Sequence, residues 1–170
     1  MKFHLVDRIE AIEPGKRIVG VKSLSLAEEY LADHFPAFPV LPGVLMLEAL
    51  VQTAAWLVRL EQGWSRSLIE LARARNVRYG SFVAPGHTLR AEAELVELAD
   101  DVARCKGVGY TDDGAQAVQG RFELRCRNVA EVFPPAAAAD ARIIAALKQR
   151  WRLIGGPEAV AAATASPARD

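Results

Sequence analysis

Residues 42–60 read Pro42-Gly43-Val44-Leu45-Met46-Leu47-Glu48-Ala49-Leu50-Val51-Gln52-Thr53-Ala54-Ala55-Trp56-Leu57-Val58-Arg59-Leu60, and this stretch decides the fold. Between Val44 and Val58 only Glu48, Gln52 and Thr53 are polar. A helix that is apolar on every side is one that other elements surround. It is too short, and too polar in its middle, to span a membrane. Pro42-Gly43 supplies the entry turn, since Pro suits a first helical turn and Gly permits close backbone approach. Glu48 and Gln52 are four apart and share a face. A carboxylate in such a helix is paired, protonated or employed, because burying it alone is costly.

The preceding segment, His34-Phe35-Pro36-Ala37-Phe38-Pro39-Val40-Leu41-Pro42-Gly43, carries three prolines. Each fixes its own φ and pushes its predecessor away from helix. The segment is a stiff arm that delivers His34 and Gly43 to defined places. A lone loop His is most often solvated, and a buried Glu is by default a paired core residue. Together, beside a helix N-terminus with free N–H groups, they form an acid–base pair with a place for a developing oxyanion.

Outward from the helix the period changes. Leu5 to Ile12 and Lys16 to Leu24 read as strands joined by Glu13-Pro14-Gly15. Ser25 to Asp33 opens like a helix, with Ser25 as N-cap and Glu28 three residues on. The central helix fades at Glu61-Gln62-Gly63. Ser67 to Phe82 is a long strand that Gly80-Ser81 can interrupt, and residues 89–95 alternate apolar with charged. Val102 to Tyr110 and Ala117 to Arg127 form a hairpin around Asp112-Asp113-Gly114. One apolar helix and five or six half-wet strands predict an α+β fold, a curved antiparallel sheet wrapped around the long central helix.

Residues 1–133 form that body and residues 134–170 an extension. Pro134-Pro135 ends the body, and Ala136 to Ile154 follows as an amphipathic helix. Ile143, Ile144, Leu147, Trp151 and Ile154 share its apolar face, which predicts packing on the protein itself. Gly155-Gly156-Pro157 leads into an Ala-rich tail that cannot bury enough surface to fold alone.

At 170 residues one core suffices without disulfides or metals. Lys and Arg number 21, as do Asp and Glu, so nothing in the net charge indicates nucleic acid or an anionic membrane. Two cysteines, Cys105 and Cys126, fit neither a disulfide framework nor a zinc cluster, and the three histidines lack metal-ligand spacing. The N-terminus lacks the apolar run of a signal peptide. These features predict a cytoplasmic protein without metal or membrane span.

The run His-Phe-Pro-x-x-Pro-Val-x-Pro-Gly-Val-Leu-x-x-Glu-Ala-x-x-Gln from His34 to Gln52 resembles the signature of the 3-hydroxyacyl-ACP dehydratases of the FabZ type. Leu5-Val6-Asp7-Arg8-Ile9 with Glu13-Pro14-Gly15-Lys16, and Arg75-Asn76-Val77-Arg78-Tyr79 with Pro85-Gly86, extend the resemblance. It implies the hot-dog fold, usually paired into a dimer with continuous sheets, or into a higher assembly such as a trimer of dimers. The implied reaction removes water from a (3R)-3-hydroxyacyl thioester on acyl carrier protein, with no cofactor. His34 would remove the C2 proton, Glu48 protonate the departing hydroxyl, the Gly43 N–H hold the oxyanion, and Gln52 orient Glu48. In the family, His and Glu of one site come from different subunits. Phe35, Leu41, Val44 and Met46 would line the acyl tunnel, and Arg75 and Arg78 meet the acidic carrier.

Four features depart from the family pattern. Asp33 replaces the Gly before the His, Ala37 replaces a second Gly, and no Pro-His-Arg precedes the first strand. Gly80-Ser81 stands where two basic residues are common, which bears on carrier recognition more than on chemistry. Two other readings are a non-catalytic hot-dog subunit that binds acyl thioesters or supports a partner, and a hot-dog thioesterase. The first would be favoured by loss of His34 or Glu48, and both are present. The second needs a carboxylate-activated water, to which nothing here points.

Overall fold

The computed structural model describes residues 3–35 and 37–165. Met1 and Lys2, Pro36 of the proline arm and the last five residues of the Ala-rich tail lie outside the described residues. Helix α1 runs Gly43–Glu61, and the chain leaves it through Gly63 with φ of 59°. Around it lie β1 (Arg8–Glu13), β2 (Arg17–Ser23), β3 (Leu68–Tyr79), β4 (Thr88–Leu98), β5 (Val102–Thr111) and β6 (Gln116–Arg127). They form one antiparallel sheet in the order β1-β2-β4-β5-β6-β3.

Alternation on the strands becomes two faces. Leu89, Ala91 and Ala93 of β4, Ala103 and Cys105 of β5, and Phe122, Leu124 and Cys126 of β6 are buried on the inner face. They meet Leu50, Ala54, Leu57 and Val58 of α1 in a single core. Against the expectation that this stretch is too short and too polar to span a membrane, α1 is long and apolar enough by length and composition, yet more than half of it is buried inside the fold. The sheet supplies the apolar surroundings that its sequence requires.

The composition of the helix predicts burial all round, and the structure does not provide it. At its N-terminal end Val44 is 68% exposed, and Leu45, Leu47, Glu48 and Gln52 are half-buried. The sheet is open, with β1 and β3 at its two edges and most residues of β3 exposed, so it does not close around the helix.

Two local expectations change. Ser25 to Asp33 forms turns and one short 3-10 helix, Glu29–Leu31. Glu28 does not close a capping box because its carboxylate takes the buried Lys22 Nζ at 2.6 Å. The Ser25 hydroxyl accepts instead from the Ala27 amide at 3.1 Å. The Ala-rich tail, expected not to fold alone, forms a docked helix, α4 (Gly156–Ala165), packed along β1. The preceding turn is pinned by the Ile9 amide, which donates to the Ile154 carbonyl at 2.7 Å.

Between body and tail lie α2 (Val129–Val132) and α3 (Ala137–Leu153). An Asn128/Glu131 capping box starts α2. The amphipathic face of α3 buries Trp151 and Ile154, with Ile143, Ile144 and Leu147 half-buried. Trp151 sits between Trp56 and Trp64, at ring-centroid distances of 5.8 and 6.1 Å, so the chain's three tryptophans form one cluster.

Candidate active site

Glu48 and Gln52 stack one turn apart on the incompletely covered face of α1. Gln52 Nε2 donates to Glu48 Oε1 at 3.0 Å and to the Phe3 carbonyl at 3.1 Å. Gln52 Oε1 accepts from the Leu5 amide at 3.0 Å. Gln52 is therefore immobilised by the N-terminal segment and presents one donor to the carboxylate.

One and a half turns earlier the helix begins. Leu45 and Met46 amides both donate to the Pro42 carbonyl, at 2.9 and 3.0 Å, whereas the Gly43 and Val44 amides find no acceptor among the described residues. Free N–H groups at a helix start suit an anionic oxygen. The arm before it is fixed by the Leu41 amide donating to the Val83 carbonyl at 2.8 Å.

His34 is half-buried on the arm, its ring edge-on to Phe35 at 4.5 Å, and Phe35 has a positive φ of 50°. No hydrogen bond or ion pair joins His34 to Glu48 among the described residues. Thus one chain brings together Glu48, Gln52 and the helix start, but does not link His34 to Glu48. The four residues expected to line a tunnel divide evenly. Leu41 and Met46 lie in the core, while Phe35 and Val44 are exposed.

Arg75 and Arg78 lie on the outer face of β3, opposite Arg121 and Gln119 of β6. They belong to a larger set that the sequence reading did not assemble. Arg73, Arg121 and Arg125 share that face; Arg73 stands opposite Glu123 and Arg125 opposite Glu70, yet none of the five arginines closes an ion pair with a carboxylate among the described residues. Arg73, Arg75 and Arg121 line a cleft of about 670 Å³ with Arg104 and Lys106. Arg75 faces Arg121 directly, and so does Lys106 from β5. Like charges directly opposite across strands are destabilising, so folding alone does not explain this arrangement. Alternation of Arg121, Glu123, Arg125 and Arg127 was visible in the sequence; the registry with β3 was not.

Tyr79 is the other residue missed. It ends β3, and its ring carbons lie 3.2 Å from where a Cβ on Gly43 would stand. Only the pairing of β3 with β6 brings it there. The next residue is Gly80, whose amide donates to the Ala117 carbonyl at 2.8 Å. A Cβ there would collide with the Gln116 carbonyl oxygen, a local reason for glycine where the family commonly carries a basic residue.

A six-stranded antiparallel sheet wrapped round one long helix defines the class: this is a hot-dog fold. The dehydratase heterocomplex ApeI:P from Xenorhabdus doucetiae is similar to it, with a TM-score of 0.64 at 19% identity, covering 77% of this chain and 88% of that one. A thioesterase superfamily member from Thermus thermophilus has a TM-score of 0.56 at 16% identity, over 84% of this chain and 98% of that one.

Within that class, sequence gives the family. The FabA-like domain matches residues 1–120, and the chain belongs to that family. It is 42% identical over 106 residues to the 3-hydroxyacyl-[acyl-carrier-protein] dehydratase FabZ of Geobacillus thermodenitrificans, covering 62% of this chain and 73% of that protein. Against the FabZ of Bacillus subtilis it is 39% identical over 110 residues, covering 65% and 78% respectively. The matched part stops short of α2, α3 and α4.

Proposed function

We infer that this chain is a hydro-lyase that dehydrates (3R)-3-hydroxyacyl thioesters on acyl carrier protein to trans-2-enoyl thioesters in fatty-acid or related lipid biosynthesis. One observation of the site carries the reading. Glu48 sits beneath a helix start with free amides, and an immobilised glutamine fixes it from behind. The thioester carbonyl acidifies the C2 proton, and the Gly43 N–H stabilises the enolate-like oxygen. His34 takes the C2 proton, since imidazole titrates nearest neutral pH. Glu48 gives its proton to the C3 hydroxyl, and water departs as the C2–C3 double bond forms. A proton passes back from His34 to Glu48 through solvent before the next turnover.

The reading includes a second copy of the chain. The edge of β3, unpaired among the described residues, the half-exposed face of α1 around Val44 and Glu48, and the lack of a His34–Glu48 link among the described residues support a homodimer with shared sites. A trimer of dimers would extend the same contacts. Phe35, Leu41, Val44 and Met46 then line the acyl tunnel where two chains meet. Arg75 and Arg78, with Arg73, Arg121 and Arg125, form the face that receives the acidic carrier. Residues 1–133 act as the catalytic body and residues 134–170 as its brace. Two separate, buried thiols accord with a cytoplasmic setting.

The test uses His34→Ala and Glu48→Gln with mass spectrometry of carrier-bound 3-hydroxyacyl substrates of several lengths. Each variant loses about 100- to 10,000-fold in turnover while melting cooperatively. Mixing the two inactive proteins restores part of the activity, because some mixed dimers carry one intact site. Near-wild-type turnover in either folded variant removes that residue from the mechanism. No recovery on mixing, with subunit exchange verified, places the site within one chain.

A further inference from the structure

The side-chain amide of Gln52 is read by the chain's own N-terminal segment. The Leu5 amide donates to Gln52 Oε1 at 3.0 Å, and the Phe3 carbonyl accepts from Gln52 Nε2 at 3.1 Å. A backbone N–H can only donate and a backbone carbonyl can only accept. Turning the amide over would set donor against donor at Leu5 and acceptor against acceptor at Phe3. Two bonds would become two repulsions. The remaining Nε2 proton is thereby aimed at Glu48 Oε1, 3.0 Å away.

The segment that does the reading is itself held. Leu5 and Val6 are buried in the core, and Phe3 stacks on Tyr30 with centroids 6.2 Å apart. Asp7 Oδ2 accepts from the Ser23 amide at 2.8 Å and from the buried Lys22 at 3.3 Å. The Asp7 amide donates to the Val21 carbonyl at 2.8 Å. The two groups that face Gln52 cannot shift along the chain without breaking these.

We infer that Phe3–Leu5 is a positioning element for the acid: through Gln52 it makes Glu48 Oε1 an acceptor and leaves Oε2 to carry the proton given to the departing hydroxyl. A proton on Oε1 would point an O–H at the Gln52 NH2 and forfeit that bond. The inference rests on the dehydratase reading of Glu48 and supplies the origin of its orientation. The roles belong to backbone groups, so a side-chain pattern could not disclose them.

Leu5→Pro in the full chain removes the donor, and Leu5→Met keeps it with nearly the same volume. With carrier-bound 3-hydroxyacyl substrate, Leu5→Pro loses roughly tenfold or more in kcat with KM unchanged, since misplacement of a reacting group costs rate rather than affinity. Leu5→Met recovers most of that loss. Gln52→Glu, which turns an acceptor toward both Phe3 and Glu48, falls at least as far. A folded Leu5→Pro protein with wild-type kcat overturns the inference.

If Leu5→Pro does not fold, the wild-type protein decides by NMR. The Gln52 side-chain NH2 protons exchange more slowly than those of exposed glutamines, and equal rates overturn the inference. Glu48→Gln measured alongside separates the two claims. Turnover retained there defeats the dehydratase role of Glu48. Turnover lost there, with Leu5→Pro fully active, defeats only the positioning role.

Discussion

The ring of Tyr79 lies against the α-carbon of Gly43, with its nearest carbons 3.2 Å from the position of a Cβ that glycine lacks. The end of the edge strand thus roofs the first turn of the central helix. Gly43 is the first residue of the helix and has no positive φ, so alanine there suffers no backbone strain. The methyl group instead pushes the half-exposed Tyr79 ring aside. Gly43→Ala therefore melts within about 1 kcal/mol of wild type and loses between about 10- and 100-fold in turnover, as a small misplacement beside the reacting atoms does. Thermal melting and steady-state rates on one preparation check this. A variant that loses stability and keeps its rate would refute it.

The five arginines of this face, none in an ion pair among the described residues, invite a test with two readouts. Arg121 faces both Arg75 and Lys106 across the sheet. Arg121→Gln relieves two like-charge contacts and stabilises the fold by about 0.2–1 kcal/mol. If the face receives an acidic carrier, Arg75→Glu with Arg121→Glu raises KM for carrier-bound substrate by about tenfold or more at low salt, with kcat held. The defect shrinks in high salt because exposed charges are screened. A pantetheine thioester, which brings no protein, sees no change. Equal effects on both substrates would assign the arginines another role.

Much of this fold was legible from one stretch. An apolar helix demands surroundings, and alternating strands supply them, so residues 42–60 and the strand pattern together imply the sheet around α1. Glu48 and Gln52 were legible as a pair because helical spacing alone joins them. Their partners Phe3 and Leu5 were not, since 47 residues separate Leu5 from Gln52 and the groups involved are backbone. Tyr79 against Gly43 depends on strand registry, which bulges between Leu71 and Arg73 and between Arg75 and Arg78 alter in ways no alternation reveals. Docking of α4 escaped for a further reason. An Ala-rich helix has little drive of its own, and its order comes from tertiary packing against β1.

A carboxylate ties the extension to the body and gives it a pH dependence. Asp140 accepts from the Val129 and Ala130 amides at 2.8 and 3.2 Å, and from the Ser67 hydroxyl. These bonds, Ser67 first, hold its pKa below the ordinary aspartate value against the opposing effect of burial. The folded state thus favours the ionised form. The resulting stabilisation is fully present above the unfolded value of about 3.9 and is lost as pH falls through the lower folded value. Asp140→Asn therefore melts below wild type at pH 7, and the gap narrows once the pH drops beneath about 4. Melting curves from pH 3 to 7 measure it. A gap independent of pH would mean that charge on Asp140 is not what holds the joint.

Trp151 is the bolt of the extension. It is 6% exposed, between Trp56 of α1 and Trp64 of the loop that follows. Gly156, at the start of α4, lies flush on its indole, where a Cβ would collide with the ring. One side chain therefore joins α1, α3 and α4. Replacing a buried aromatic with alanine costs about 3–5 kcal/mol, so Trp151→Ala lowers the melting temperature sharply. Gly156→Ala, which leaves every apolar group in place, also destabilises because the ring must move. Truncation after Pro135 removes the helices and exposes Trp56 and Trp64, with a red shift in their fluorescence. Below the new melting temperature, the truncated protein retains the Glu48–Gln52 pair and measurable turnover. Its kcat falls only so far as the N-terminal strand loosens, since α3 and the α4 turn grip Val6 and Ile9 through Arg150 and Ile154. Full loss of turnover in a folded truncation would make the extension part of the site rather than its brace.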